Sequence, residues 1–581
     1  MLQIILHIII ISIFCMIWGL PVLLLQKKHS SVYDFMMQSF LDTLLFLFFS
    51  GLILLSIIVA WLCIITPLNF SLLMLITAVL IFYLLIFKRK KIKIFLKIAN
   101  GGPSFSLIEL VFIIACVVVF IVLGTLHSVN SDTHIYHVQM VLWFNEYGTV
   151  PGIANLYPRF GLGSSWFGLI STFRIPLFKQ ENFTYLNVTT VIWFFLWLFN
   201  KRKWHINHGQ NAASKIMSLY YLLIILFCLF EWELFRDASN STNYDFIVSG
   251  LNIMLISYLL ESIILNKYSQ AFSLWFVILG IAIIPFKLSG SLVLLLLIYY
   301  LFNYKSFKYW LWASVAGIAI LTPLLLKNYI ITGYPLYPLS WSFFSPDWQV
   351  PKEMTDYLKN YIHVTNRFYN DYGLDIKKIP ELINKPWINK WFNGILVQQK
   401  IIICTAVCSL LIFFLKTGLQ INYKKLRIVF AVLLIMAVGW FFSAPSPRFS
   451  YGVLLPLAFF PICFYGGNKL PSLLQKVLIL IVTFALCFYL YKKVSSFNGN
   501  WNLILYPYEI EKPPVKRINI KGIDFYVPET VNNNWMRKCY GTPLPCFCEE
   551  NKYLEPRGDR LQDGFRMNPK PDSIFINHYN Y

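Results

Sequence analysis

The chain has 581 residues, of which 57% are hydrophobic and 13% are charged, and its formal net charge is +22. A soluble domain carries about 25% charged residues, so the composition excludes an ordinary soluble protein and is typical of a chain that crosses a membrane repeatedly. The sequence has no basic helix or aromatic RNA-binding motif, so we expect the positive charge to face anionic lipid of the bilayer, with no nucleic acid partner.

Apolar runs long enough to span a bilayer as helices occur about fourteen times. They predict an all-α polytopic membrane protein, with spans at residues 3–25, 42–65, 70–87, 107–127, 183–200, 214–232, 246–265, 271–286, 289–303, 309–327, 400–416, 427–443, 449–466 and 473–491. If the spans alternate in direction, one side receives all the basic loops, at 88–97, 201–204, 303–310, 416–427 and 468–476. Because short basic loops stay in the cytoplasm, we expect a bacterial cytoplasmic (inner) membrane protein whose active face is periplasmic or extracellular.

The spans and loops divide the chain into five predicted parts. They are a three-span N-terminal extension (1–100), a seven-span module (101–330), a long external loop (331–400), a four-span bundle (401–491) and a small external C-terminal subdomain of α+β or loop-rich structure (492–581). The tail sequence INIKGIDFYVPE predicts a pair of strands. Cys539 is expected to form an external disulfide with either Cys546 or Cys548, and the sequence does not decide between them.

The segment from Ser131 to Trp166 is the most polar part of this mostly apolar chain. Asp132 begins a predicted helix with His134 and His137, and polar residues lie on both faces of that helix. Asp132 therefore has three interpretations: the N-cap of the helix, a general base, or a ligand of a divalent metal ion. A second short helix is predicted to start at Ser164–Ser165.

Other charged residues lie in or beside the predicted external loops. Asp237 and Asp245 belong to the loop FRDASNSTNYDF, and their carboxylates suit a metal ion or sugar hydroxyls. Each external cation is either an interfacial anchor that reaches back to the membrane surface or a ligand for a phosphate group. The cations are Arg159, Arg236, Lys287, Lys327 and Arg448.

An apolar span that ends near an external acidic residue, followed by two short external helices and further spans, resembles the GT-C superfamily of membrane glycosyltransferases. In this chain the span at 107–127 precedes Asp132, and seven spans precede the long loop at 327–400. The resemblance implies a catalytic module at 101–330 and a sugar donor linked to a polyprenyl phosphate. It also implies that Asp132 is the catalytic carboxylate or helps to bind a divalent metal, which is the one candidate cofactor.

The reaction that the resemblance implies is inverting transfer of the sugar to a cell-surface glycan, lipid or protein acceptor on the external face. His134 or His137 would orient Asp132 or the acceptor. The residues implied to bind substrate are Arg159, Asp237, Asp245, Lys287 and Arg448. The segments YHVQMVLWFNEYGTVPGIANL and CYGTPLPCFC also resemble sequences in a group of large bacterial membrane proteins that are associated with surface polysaccharides.

Three other classes of protein stay open. An O-antigen-type polysaccharide polymerase or ligase would use Arg448 without needing Asp132. A transporter of lipid-linked saccharides would carry charged residues buried in the middle of its spans. A non-catalytic assembly protein would use the cysteine-containing tail as a docking module.

Overall fold

The computed structural model describes the chain except for residues 26–38, 89–104, 179, 210, 232, 266–269, 303–306, 370–377, 416–422, 467–470, 496, 498, 530–537, 549–550 and 579–581. Four of the five basic loops used to predict orientation, at 88–97, 303–310, 416–427 and 468–476, lie wholly or partly outside the described residues. The described part is mostly helical and ends in two small sheets of two strands each.

The α-helices follow one another along the described ranges, with short π- and 3₁₀-helices between some of them. They are α1 (Leu2–Leu25), α2 (Phe40–Ile65), α3 (Phe70–Phe87), α4 (Leu107–Thr125), α5 (Val138–Glu146), α6 (Ser165–Thr172), α7 (Tyr185–His208), α8 (Ala212–Phe230), α9 (Asp245–Ile264), α10 (Gln270–Ile283), α11 (Val293–Phe302), α12 (Phe307–Thr332), α13 (Lys352–Arg367), α14 (Ile379–Leu382), α15 (Ile388–Gly394), α16 (Val397–Leu415), α17 (Tyr423–Ser443), α18 (Tyr451–Gly466), α19 (Ser472–Ser495), α20 (Asn502–Leu505) and α21 (Ser573–His578).

Each of the fourteen predicted spans coincides with one of these helices. In the described part of the chain, ten helices are long and apolar enough to cross a membrane. The remaining predicted spans fall on α7, whose end carries the basic residues 201–203, and on the shorter helices α10, α11 and α18. The structure therefore confirms a helical membrane protein, and fourteen crossings stay a prediction.

Helix α9 lies at the centre of the bundle, because its residues are buried along almost its whole length. It packs against α7, α10 and α18. Gly452 of α18 permits the close approach of that helix, since a Cβ atom there would lie only 2.7 Å from the Cβ of Asn252 in α9. This packing places Asp245, the first residue of α9, beside the turn that precedes α18.

The N-terminal helices pack directly on this bundle. Helix α1 contacts α2 and α7, and Trp193 of α7 donates a hydrogen bond to Ser12 Oγ of α1 at 2.8 Å. Helix α2 in turn contacts α6 and α12. The predicted three-span extension thus shares the hydrophobic core of the seven-span module.

We call the end of the bundle that carries the described residues 126–178, 180–184, 231, 233–244, 333–369, 378–396 and 443–450 the loop face. The C-terminal tail packs against it. There, strands β1 (Val515–Ile520) and β2 (Ile523–Pro528) form the predicted antiparallel pair. Their two-residue turn has positive φ angles, as the commonest hairpin turn requires. A second pair is formed by β3 (Leu554–Pro556) and β4 (Phe565–Met567).

A disulfide joins Cys539 to Cys546, which decides between the two pairings that the sequence left open. The loop that it closes contacts the first loop segment. Gln139 donates hydrogen bonds to the carbonyl oxygens of Tyr540 and Thr542, at 3.1 and 2.8 Å. The tail is thereby attached to helix α5 through Gln139.

A buried charged cluster joins α7, α8 and α9 far along α9 from Asp245. The Glu261 carboxylate accepts hydrogen bonds from Lys201 Nζ at 3.0 Å, His205 Nε2 at 2.8 Å and the Tyr221 hydroxyl at 2.7 Å. Neither Glu261 nor His205 is among the site residues predicted from the sequence. Because a buried charge without a partner is costly, we expect the loss of one charged member of this cluster alone to destabilise the packing of the three helices.

We expect Glu261→Leu to destabilise the protein by about 3–5 kcal/mol, because it leaves the Lys201 ammonium buried without its carboxylate. The double variant Lys201→Met/Glu261→Leu removes both charges and should recover most of that loss. Thermal unfolding of the three proteins in the same detergent measures the difference. A Glu261→Leu protein as stable as the wild type would contradict this view of the cluster.

Candidate functional site

The loop face contains a cavity of about 500 Å³ that four separate segments of the chain line with charged groups. His137 and Tyr136 of the first loop also line it, and helix α13 of the long loop covers one side. Of the residues that the structure describes, the charged side chains in its wall are Asp132, Arg159, Asp245, Lys287 and Arg448. All five were predicted as site residues from their positions in the sequence.

Asp132 directs its carboxylate toward two arginines. Arg159 Nη1 donates to Asp132 Oδ1 at 3.1 Å, and Arg448 Nη2 lies 3.6 Å from Oδ2. Asp132 itself has helical backbone angles and makes no capping hydrogen bond, so the interpretation of Asp132 as an N-cap was wrong. The Asn130 side chain instead accepts a hydrogen bond from the backbone N–H of Thr133 at 3.3 Å.

Neighbouring positive charges determine the protonation of Asp132. Burial alone would raise the pKa of Asp132, but these charges, of which Arg159 and Arg448 have the largest effects, outweigh burial and hold the pKa below its ordinary value. The carboxylate is therefore ionised at neutral pH. A general base works best when its pKa lies near the working pH, so the paired carboxylate is a weak base until a neighbouring positive charge is neutralised.

Arg159 lies on a 3₁₀-helix (Pro158–Leu162) and is only 9% exposed. Its Nη2 donates to the hydroxyl of Tyr361 at 3.1 Å, and its guanidinium lies over the Tyr361 ring at 5.4 Å from the centroid. An arginine that reaches back to the membrane surface would expose its guanidinium, so that alternative was wrong for Arg159. The contact instead joins the first loop to helix α13.

The second half of the cavity is built around Asp245. Lys287 Nζ donates a hydrogen bond to Asp245 Oδ1, and Arg448 Nε lies 3.4 Å from Asp245 Oδ2. Lys287 also lies 3.1 Å from the centroid of the Phe449 ring. Burial lowers the pKa of Lys287 to about 8, although the Asp245 carboxylate acts in the opposite direction. Arg448 thus pairs with both Asp132 and Asp245, which come from different loops.

His137 joins the first and second loops beneath these charges. It lies at the end of a π-helix (Thr133–His137), and its Nδ1 forms a 2.9 Å hydrogen bond with the hydroxyl of Thr242. The Thr242 N–H in turn donates to Thr133 Oγ1 at 3.3 Å. Burial lowers the pKa of His137 to about 3, and the nearby Asp132 and Asp245 only partly oppose this effect. The imidazole is therefore neutral at pH 7.

The other predicted site residues lie outside the cavity wall. They are His134, Arg236, Asp237 and Lys327. The His134 ring hydrogen-bonds the carbonyl of Ser128 at 2.9 Å and packs against Tyr540 of the tail. Lys327 Nζ donates to the carbonyl of Gly163 at 2.8 Å. Arg236 and Asp237 belong to a second π-helix (Glu233–Asp237), near the end of α8.

The cavity does not fit the candidate divalent metal. Its two carboxylates, among the described side chains, each face two cations, so a further positive ion would be repelled rather than attracted.

Comparison with protein families gives one match, to the family described as Domain of unknown function (DUF8201), over residues 1–455. The chain belongs to this DUF8201 family. The matched range contains each charged residue of the cavity, from Asp132 to Arg448, together with the N-terminal helices. No curated protein and no solved structure matches the chain.

Five of the described tyrosines line this DUF8201 cavity, and none of them was predicted as a site residue from the sequence. They are Tyr136, Tyr244, Tyr337, Tyr361 and Tyr369. Tyr361 had the clearest signal, because it continues a helical spacing of residues that face the protein: Met354 and Leu358 are buried, and Tyr361 is partly buried. That spacing predicts a helix with one face against the protein, which would have placed Tyr361 on the covered side of the long loop.

The neutral state of His137 predicts how stability depends on pH. The folded pKa of about 3 lies below the ordinary 6.5, so the unfolded chain binds a proton first as the pH falls. His137 therefore contributes stability above pH 6.5 that is lost progressively as the pH falls toward 3. We expect His137→Gln to show a shallower fall of the unfolding temperature across this window than the wild type. Equal slopes in a thermal unfolding series would contradict a buried, neutral His137.

Proposed function

We propose that the protein is a glycosyltransferase that moves a sugar from a polyprenyl-phosphate donor to the hydroxyl of a cell-surface glycan, lipid or protein acceptor. The observation that carries the proposal is the convergence of the five charged side chains of the loop-face cavity beside apolar walls. In this proposal the loop face is the periplasmic or extracellular face of a bacterial inner membrane. No nucleotide is available there, so a lipid-linked donor is the appropriate activated sugar.

The lining of the cavity matches the two parts of such a donor. Apolar side chains that suit an isoprenoid chain line one part of the wall, at Ile284, Phe286, Leu324, Leu358 and Ile362. Arg448 and Lys287 supply positive charge for the phosphate, and an arginine fork can hold two phosphate oxygens at once. An amphiphilic donor with one anionic group therefore satisfies both the charged and the apolar side chains.

Asp132 is the proposed general base. The acceptor hydroxyl gives its proton to the Asp132 carboxylate while its oxygen forms a bond to the anomeric carbon of the sugar. The bond from that carbon to the phosphate oxygen breaks, and its electron pair stays on the phosphate. The phosphate gains one negative charge, which Arg448 and Lys287 stabilise. Direct displacement predicts inversion at the anomeric carbon.

The remaining polar groups hold this arrangement in place. Arg159 binds Asp132 from one side and Tyr361 from the other, so it positions the carboxylate relative to helix α13. His137 is neutral and hydrogen-bonded to Thr242. It can therefore form a hydrogen bond with the acceptor, but it supplies no positive charge for the donor phosphate.

The proposal is tested with the purified full-length protein in proteoliposomes. A panel of radiolabelled polyprenyl-phosphate sugars is supplied with a cell-envelope extract as acceptor, and labelled product is measured. We expect Asp132→Asn to reduce transfer by at least about 100-fold, because the amide cannot accept the proton. Asp237→Asn is the matched control, since Asp237 also lies at the loop face but outside the cavity wall, and it should keep wild-type activity.

Two results would count against glycosyl transfer. One is an Asp132→Asn protein with full transfer activity, which would favour chemistry led by Arg448, as in a polysaccharide polymerase or ligase. The other is movement of a labelled lipid-linked saccharide across the bilayer without any covalent change, which would favour a transporter.

A further inference from the structure

We infer that Asp245 is an internal substitute for the phosphate group of the substrate, and that a phosphate-bearing lipid with a single negative charge displaces it from Lys287 and Arg448. The inference rests on the proposed function for the nature of the ligand. It goes further in naming the residue that competes with that ligand and the charge that the ligand carries.

The first argument is the position of Arg448. Arg448 Nη2 lies 3.6 Å from Asp132 Oδ2 and Arg448 Nε lies 3.4 Å from Asp245 Oδ2, whereas a charge-assisted hydrogen bond has a length of about 2.7–2.9 Å. The guanidinium is thus shared between two carboxylates that it approaches at longer distances. A phosphate offers oxygens that match the arginine fork, so it can replace Asp245 with shorter contacts.

The second argument is the balance of charge. Among the described side chains of the cavity, three cations and two carboxylates leave one net positive charge, since His137 is neutral. A phosphodiester, such as a sugar linked to a lipid through one phosphate, carries one negative charge and balances it. After transfer, Asp132 holds the proton and the released phosphate monoester carries a second negative charge, so the balance is kept. A diphosphate-linked donor brings a further negative charge that these side chains do not match.

The third argument links the ligand to the base. Arg448 is one of the neighbouring positive charges that lower the pKa of Asp132 and so keep it a weak base. A phosphate bound to Arg448 neutralises part of that positive charge and adds a negative charge nearby, so both changes raise the proton affinity of Asp132. Displacement of Asp245 by the donor would therefore prepare Asp132 to accept a proton only when a donor is present.

Binding to the purified full-length protein in lipid nanodiscs tests the inference directly. The probe is farnesyl methyl phosphate, a monoanionic phosphodiester with a short isoprenoid chain, and inorganic phosphate and farnesyl diphosphate are measured beside it. We expect the wild type to bind the diester more tightly than either comparison ligand. Asp245→Asn should bind the diester about tenfold more tightly still, because the competing carboxylate is gone while both cations remain.

Asp237→Asn is the control for the loss of one acidic residue at the loop face, and its affinity should equal that of the wild type. An Asp245→Asn protein that folds but binds the diester no better than the wild type would overturn the inference. Inorganic phosphate that binds as tightly as the diester would overturn the assignment to a lipid. If Asp245→Asn does not fold, infrared difference spectra of the wild type are recorded with and without the diester. We expect the carboxylate bands to shift when the diester is added. Unchanged bands would overturn the inference.

The outcome is separable from that of the proposed function, because binding does not require transfer. If Asp245→Asn binds the diester more tightly but the wild type transfers no sugar, the substitute role of Asp245 is supported and the proposed glycosyl transfer is rejected. If the wild type transfers sugar but Asp245→Asn binds the diester more weakly, only the substitute role is rejected.

Discussion

The ion pairs that Arg448 makes with Asp132 and Asp245 connect parts of the chain that are otherwise separate. Asp132 follows α4, Asp245 begins α9 and Arg448 precedes α18. Partly buried charges are tolerated only when they are paired, so each of these segments must be placed accurately for the others to be stable. The close packing of α18 on α9 at Gly452 and the hydrogen bond between His137 and Thr242 provide that placement.

The tail contributes to the same arrangement from outside the matched family range. The loop closed by the Cys539–Cys546 disulfide contacts Gln139 of α5, which lies only a few residues after Asp132 and is not part of the cavity wall. The family match over residues 1–455 therefore covers the charged residues of the cavity but not the tail that contacts the first loop.

Much of the fold could be predicted from the sequence, because long apolar runs and basic loops depend on composition more than on tertiary contacts. The distribution of basic loops between the predicted spans was sufficient to place Asp132, Lys287 and Arg448 on one face, and these residues do meet in one cavity. It could not show whether the His134 side chain points into that cavity, because the direction of a side chain on a short helix depends on local geometry. The π-helix places His134 against the tail and leaves His137 at the cavity.

The partners of each charge could not be read from the sequence for a related reason. Arg448 has no acidic neighbour along the chain, and only the packing of α9 and α18 shows that Asp245 is close to it. The buried cluster at Glu261 was overlooked because its members come from three helices. In the tail, the sequence left Cys546 and Cys548 as equal partners for Cys539, and the disulfide is formed with Cys546, whose two neighbours in the chain hydrogen-bond the backbone of Tyr526 in β2.

Both proposals require that the loop-face cavity binds a lipid phosphate between Lys287 and Arg448. An electron cryomicroscopy structure of the protein with a polyprenyl phosphate in nanodiscs would show whether it does. We expect phosphate density within hydrogen-bonding distance of both cations, with the Asp245 carboxylate moved away and the isoprenoid chain along the apolar wall. Phosphate density elsewhere on the protein, with the ion pairs of Arg448 unchanged, would contradict it.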